Sequence, residues 1–124
     1  LPGVGDRLPV LWTKMVSSGE FSINQFVALT STNPARLFGL YPGKGSLEPD
    51  ADADIVLWDP HMEVEYGIAH AQHRTDHNLF EGWKLKGYPV QVLSHGQTVF
   101  YNGNWFGRPG NGKFIHRETF EGLI

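Results

Sequence analysis

Three of the chain's six histidines, His70, His73 and His77, fall within one short stretch, HAQHRTDH. On a helix, spacings of three and four put all of them on one face. Imidazole is a common zinc ligand, and three histidines with a water make a catalytic zinc centre. That reading requires residues 70–77 to be helical. Thr75, Asp76 and Asn78 work against a helix, and Asp76 beside His77 reads as a turn. The spacing also places no fourth ligand or base, the nearest candidates being Asp76 and Glu81. The expectation is therefore loop histidines, solvated or hydrogen-bonded. A small metal-binding module built on His70, His73 and His77 is the alternative.

Other constellations carry less. Asp50, Asp52 and Asp54 resemble the start of a calcium loop, but the sixth position is Ile55 instead of Gly and the twelfth is His61 instead of Glu. The expectation is a polar turn before a buried strand. Gly103, Gly107, Gly110 and Gly112 do not follow a strand and open a helix, as a phosphate-binding fingerprint would. Ser94-His95 lacks the strand–turn–helix setting of a nucleophile elbow. No catalytic, cofactor-binding or metal residue is assigned in this chain.

The elements that would position these groups divide the chain in two. RLPVLWTKMVSSG places Leu8, Leu11, Trp12, Met15 and Val16 at helical spacing, with Gly19 as the stop. A second helix opens at Ser22, with Gln25 three residues on to complete a capping box and Ile23, Phe26, Val27 and Leu29 as its apolar stripe. Asn33 and Pro34 read as the cap and first residue of a third, short helix ended by Gly39. The expectation is that these stripes are core-packing faces.

After Tyr41-Pro42 come turns, then the apolar run Ile55–Trp58, ended as a strand by Asp59-Pro60. A second short strand is expected over Met62–Tyr66, and residues 67–83 show no period. From Trp83 the pattern is β, with Asn102-Gly103 as a hairpin turn and a Gly-rich surface arm behind it. No internal repeat is present.

Composition sets the outer bounds. The 124 residues hold 40% hydrophobic and 19% charged residues, a globular balance. With a net charge of −3 and Lys and Arg scattered singly, neither a nucleic-acid nor an anionic-membrane partner is expected. The absence of cysteine rules out disulfides and thiolate metal sites and is compatible with a cytoplasmic protein. No apolar run approaches the roughly 20 residues of a membrane helix. The chain opens on Leu1 without Met or a signal-like segment, so a piece of something longer is expected.

Three stretches together carry a specific likeness. TSTNPARLFGLYP (30–42), DADIVLWDP (52–60) and FEGW (80–83) followed by VLSHG (92–96) resemble the C-terminal part of hydantoinases and dihydropyrimidinases. These are cyclic amidohydrolases of the metal-dependent amidohydrolase superfamily, and the likeness runs from Leu1 to about Arg117. It implies the last helices of a (β/α)8 barrel over residues 1–41, β-sandwich strands over 42–106, and a C-terminal arm over 107–124 making subunit contacts. The fold class expected is thus mixed α and β.

The resemblance further implies a divalent metal pair of zinc type in the parent enzyme, with ligands upstream of Leu1 and none in this chain. It implies hydrolysis of a cyclic amide by the parent, a homo-oligomer, and the missing N-terminal barrel as partner. The chain alone would then be structural. A non-catalytic dihydropyrimidinase-like scaffold is the rival within the same fold.

Overall fold

The computed structural model describes residues 3–120. Helix α1 spans Arg7–Met15 and buries Trp12 and Pro9, the inward side of its apolar stripe. Beyond it the chain reverses at Gly19, whose φ of +81° suits a residue without Cβ. The capping box then forms as the spacing predicts. Ser22 Oγ accepts the Gln25 amide at 3.2 Å, and the Gln25 side chain accepts the Ser22 amide at 2.9 Å.

The two further helices are one continuous rod, which corrects the expected break at Asn33. Helix α2 (Ile23–Val27) runs into a π turn (Ala28–Thr32) and then α3 (Asn33–Leu37), with αR backbone at both junctions. Asn33 caps nothing. Its amide reaches back five residues to the Ala28 carbonyl. A proline inside an α-helix meets the carbonyl four residues back. Widening the preceding turn makes room for the Pro34 ring, so the helix continues through it.

Four strands form an antiparallel sheet in the order β1–β2–β3–β4: β1 Ile55–Tyr66, β2 Trp83–Ser94, β3 Gln97–Tyr101 and β4 Asn104–Trp105. The two short strands expected around Asp59-Pro60 are a single strand, β1. Pairing runs to Asp59↔Tyr88 and resumes at Glu63↔Lys86, so residues 60–62 bulge opposite Gly87. Pro60 is tolerated there because a bulged residue owes no ladder hydrogen bond. Asp59 Oδ1 takes the amides of His61 and Met62 at 2.8 and 3.2 Å, which shapes the bulge. The hairpin at Asn102-Gly103 has the two positive φ angles, +45° and +81°, that its sequence demands.

Helix α1 lies on the sheet at this bulge. Trp12 meets Phe26 edge-on at 5.2 Å and Trp58 at 5.0 Å, tying the helical segment to β1. Gly87, at φ +95°, gives the indole its seat: a Cβ there would stand 2.1 Å from Trp12 Nε1. Ser17 Oγ donates to the Lys86 carbonyl at 2.8 Å, and the Lys86 amide donates to Thr13 Oγ1 at 3.1 Å. Among the described residues, Pro9, Trp12, Phe26, Ala35, Tyr66, Leu85 and Phe100 are buried apolar side chains. This corrects two expectations: of the second helical stripe only Phe26 is buried, with Ile23, Val27 and Leu29 about half exposed, and the strand over Ile55–Trp58 is not a buried one, since Val56 and Leu57 are exposed. Residues 107–120 carry no helix or strand and return to the helical end, where the Glu118 amide donates to the Gly39 carbonyl at 2.7 Å.

Candidate functional site

The most deeply buried polar group is Asp6, with none of its surface exposed. It stands at the N-cap position of α1, yet its side chain caps no helix amide. Its Oδ1 instead accepts from the Tyr66 hydroxyl at 2.7 Å and from Asn78 Nδ2 at 3.3 Å, across separations of 60 and 72 residues. Tyr66 ends β1, and Asn78 belongs to the loop that follows it. Three distant stretches meet on one carboxylate oxygen. Burial, and then the neighbouring Asp6 carboxylate, hold the Tyr66 hydroxyl far above the ordinary tyrosine range. Tyr88 is raised for the same two reasons in the same order.

The histidine stretch wraps this network. Residues 70–77 form no helix, so the shared face required of a helical metal site is not formed. His70 stacks on Tyr66 at 5.5 Å and meets Tyr88 edge-on at 6.0 Å. His73 Nδ1 lies 2.6 Å from Thr75 Oγ1, and its Nε2 lies 3.5 Å from Asn78 Nδ2. His77 turns outward to Asp76, at 3.1 Å. Glu81, the other suggested ligand, accepts the Ile68 amide at 2.8 Å and closes the loop. Among the described residues no three His, Asp or Glu side chains are grouped to hold a metal ion, so the metal pair implied by the resemblance finds no ligand set among them.

The acidic turn is a clamp. Lys44 Nζ bridges Asp52, at 2.9 Å, and Asp54. The His95 amide donates to Asp54 Oδ1 at 2.9 Å, and His95 Nδ1 stands 3.4 Å from Asp52. The start of β1 is thereby fastened to the β2–β3 turn. Ser94 and His95 also border an open cleft of about 780 Å³ between that turn and the segment 105–113, well apart in sequence and fold from Asp6.

Asp6 was not legible as a site residue, because one Asp ahead of a helix reads as an ordinary cap. Its signal is visible only in three dimensions, as a cap residue that does not cap. Asp6, Tyr66 and Asn78 are all buried. What their network does chemically is hold α1, the end of β1 and the loop after it in one arrangement.

This mixed α and β chain has known counterparts. Residues 6–99 match the model of the Amidohydrolase family, and the chain belongs to that family. Among curated relatives it is 41% identical over 120 residues to D-phenylhydantoinase of Escherichia coli O1:K1 / APEC, a match covering 97% of this chain. The chain spans about a quarter of that relative's length, 26%.

Solved structures agree. D-hydantoinase (dihydropyrimidinase) from Thermus sp. superposes with a TM-score of 0.91 at 36% identity, covering 97% of this chain and 26% of that one. L-hydantoinase (dihydropyrimidinase) from Arthrobacter aurescens does so with 0.81 at 30%, covering 89% and 24%. The likeness to hydantoinases and dihydropyrimidinases read from the sequence is thus shown.

Proposed function

We propose that this chain is the C-terminal portion of a cyclic amidohydrolase of hydantoinase type, whose complete form opens a cyclic amide ring by hydrolysis with a divalent metal pair held outside these 124 residues. The observation that carries it is identity of 41% along nearly the whole chain to an enzyme of which it spans only 26%. In this reading residues 1–41 supply the last helices of a (β/α)8 barrel, residues 42–106 supply sandwich strands, and residues 107–124 reach a neighbouring subunit of a homo-oligomer. In the same reading the protein is cytoplasmic, and its histidine stretch is loop structure with no metal role.

Physical support comes from what the helical rod leaves uncovered. Ile23, Val27, Leu29, Leu37 and Phe38 are each about half exposed along α2, the π turn and α3. So many large apolar side chains left exposed on one short rod support its being covered in the complete protein. Phe114 and Phe120 are exposed on the arm in the same way.

The test compares two proteins on hydantoin and dihydrouracil with added zinc. The complete enzyme should open one of these rings, and the 124-residue chain alone should not. Turnover by the short chain, or an immunoblot against residues 70–117 that finds only a 13.9 kDa band in source cells, would overturn the proposal.

A further inference from the structure

In a (β/α)8 barrel the loop leaving each strand crosses the catalytic face and enters the N-terminus of the next helix. Resting on the proposed function, helix α1 is such a helix, and the segment ending at Asp6 is the last part of such a loop. Asp6 is the point where that segment meets the rest of this chain. An N-cap aspartate ordinarily spends its carboxylate on the helix's own free amides. This one forgoes them, and its Oδ1 accepts from Tyr66 and Asn78 instead.

Each donor is itself fixed. Tyr66 is 2% exposed, with its ring against His70. Asn78 is 8% exposed, and its Oδ1 accepts the Phe80 amide at 2.7 Å. Both therefore present their hydrogens from buried positions, one at the end of β1 and one in the loop that follows it. We infer that Asp6, Tyr66 and Asn78 form a positioning tether through which the sheet domain sets the placement of a loop on the catalytic face. In this inference none of the three touches substrate. They act by holding the chain that leads into the loop, and a loop displaced by an ångström costs up to about a hundredfold in rate.

The test uses the complete enzyme with hydantoin and dihydrouracil, assayed well below each variant's melting temperature and normalised to metal content. Tyr66→Phe and Asp6→Ala, which remove one donor and the acceptor, should lower kcat about tenfold or more. Asp6→Asn keeps an amide oxygen for both donors and should stay within about threefold of wild type. Phe100→Leu, in the sheet core far from Asp6 in the strand order, should lower the melting temperature and leave kcat unchanged.

A wild-type kcat in Asp6→Ala, or a kcat in Phe100→Leu reduced as much as in Tyr66→Phe, would overturn the tether and leave the proposed function standing. A complete wild-type enzyme that opens neither ring would overturn the proposed function, and the tether's catalytic role with it.

Discussion

Replacing Gly87 by alanine should be among the most damaging single changes in the chain, by an amount that separates into two parts. The first is conformational. Gly87 holds φ at +95°, where a Cβ crowds the backbone at a cost of about 1–2 kcal/mol. The second is steric. The added methyl would stand 2.1 and 2.2 Å from Trp12 Nε1 and Cδ1 and 2.9 Å from Trp58 Nε1. Neither indole is free to retreat, since Trp12 is wedged against Phe26 and Trp58. Overpacking of this kind costs about 1–3 kcal/mol, for a total near 2–5 kcal/mol.

Gly82 isolates the first part. It sits at φ +76° with nothing within 4 Å of an added Cβ, so Gly82→Ala should cost only about 1–2 kcal/mol. Urea unfolding at one fixed protein concentration, followed by tryptophan fluorescence, reads both. With a slope of roughly 2 kcal/mol/M, Gly87→Ala should lower the midpoint by about 1–2.5 M and Gly82→Ala by less than about 1 M. Equal midpoints for the two variants would refute the claim that Trp12 is seated by the absence of a side chain at Gly87.

Two further outcomes are expected. Lys44 donates to Asp52, which lowers that carboxyl's pKa; burial opposes the shift at Asp54, and the bonds from Lys44 and the His95 amide outweigh it. Folded-state carboxyl pKa values below the unfolded values give stability that is full above about pH 4 and lost as pH falls through the folded values. Lys44→Met should therefore lower the melting temperature by a few degrees at pH 7 and have little effect at pH 2.5; an equal loss at both would refute the clamp. Gly39→Ala would set a Cβ 1.9 Å from the Glu118 carbonyl oxygen, so it should lift the arm and speed tryptic cleavage at Lys113 and Arg117; unchanged cleavage would show that the arm does not rest there.

What could be read in advance follows the range of the interactions concerned. The capping box at Ser22 and Gln25 and the turn at Asn102-Gly103 were legible because both are settled within four residues. The strand over Ile55–Trp58 was legible from its apolar run, but the burial that run suggests was not formed, because Val56 and Leu57 stay exposed. Two breaks were misplaced for a common reason. Pro34 and Pro60 are strong local stop signals, and each was accommodated by an irregularity, a π turn in one case and a bulge in the other. The bulge is useful only because α1 lies over it, a long-range fact. The histidine spacing fitted a helix that Thr75 and Asp76 do not permit. Asp6 is not legible in the sequence because both of its partners are far away in the chain.

The separation of those partners has a consequence for synthesis. A ribosome adding about 5–20 residues per second needs roughly 4–14 s to travel from Asp6 to Asn78. Helix α1 is thus made, and its entrance exposed, well before either hydrogen-bond donor exists. Through that interval the Asp6 carboxylate keeps its water, and its desolvation is deferred until Tyr66 and Asn78 arrive to replace it. The closure of this one contact marks the moment at which the early helix and the late loop become parts of the same folded unit.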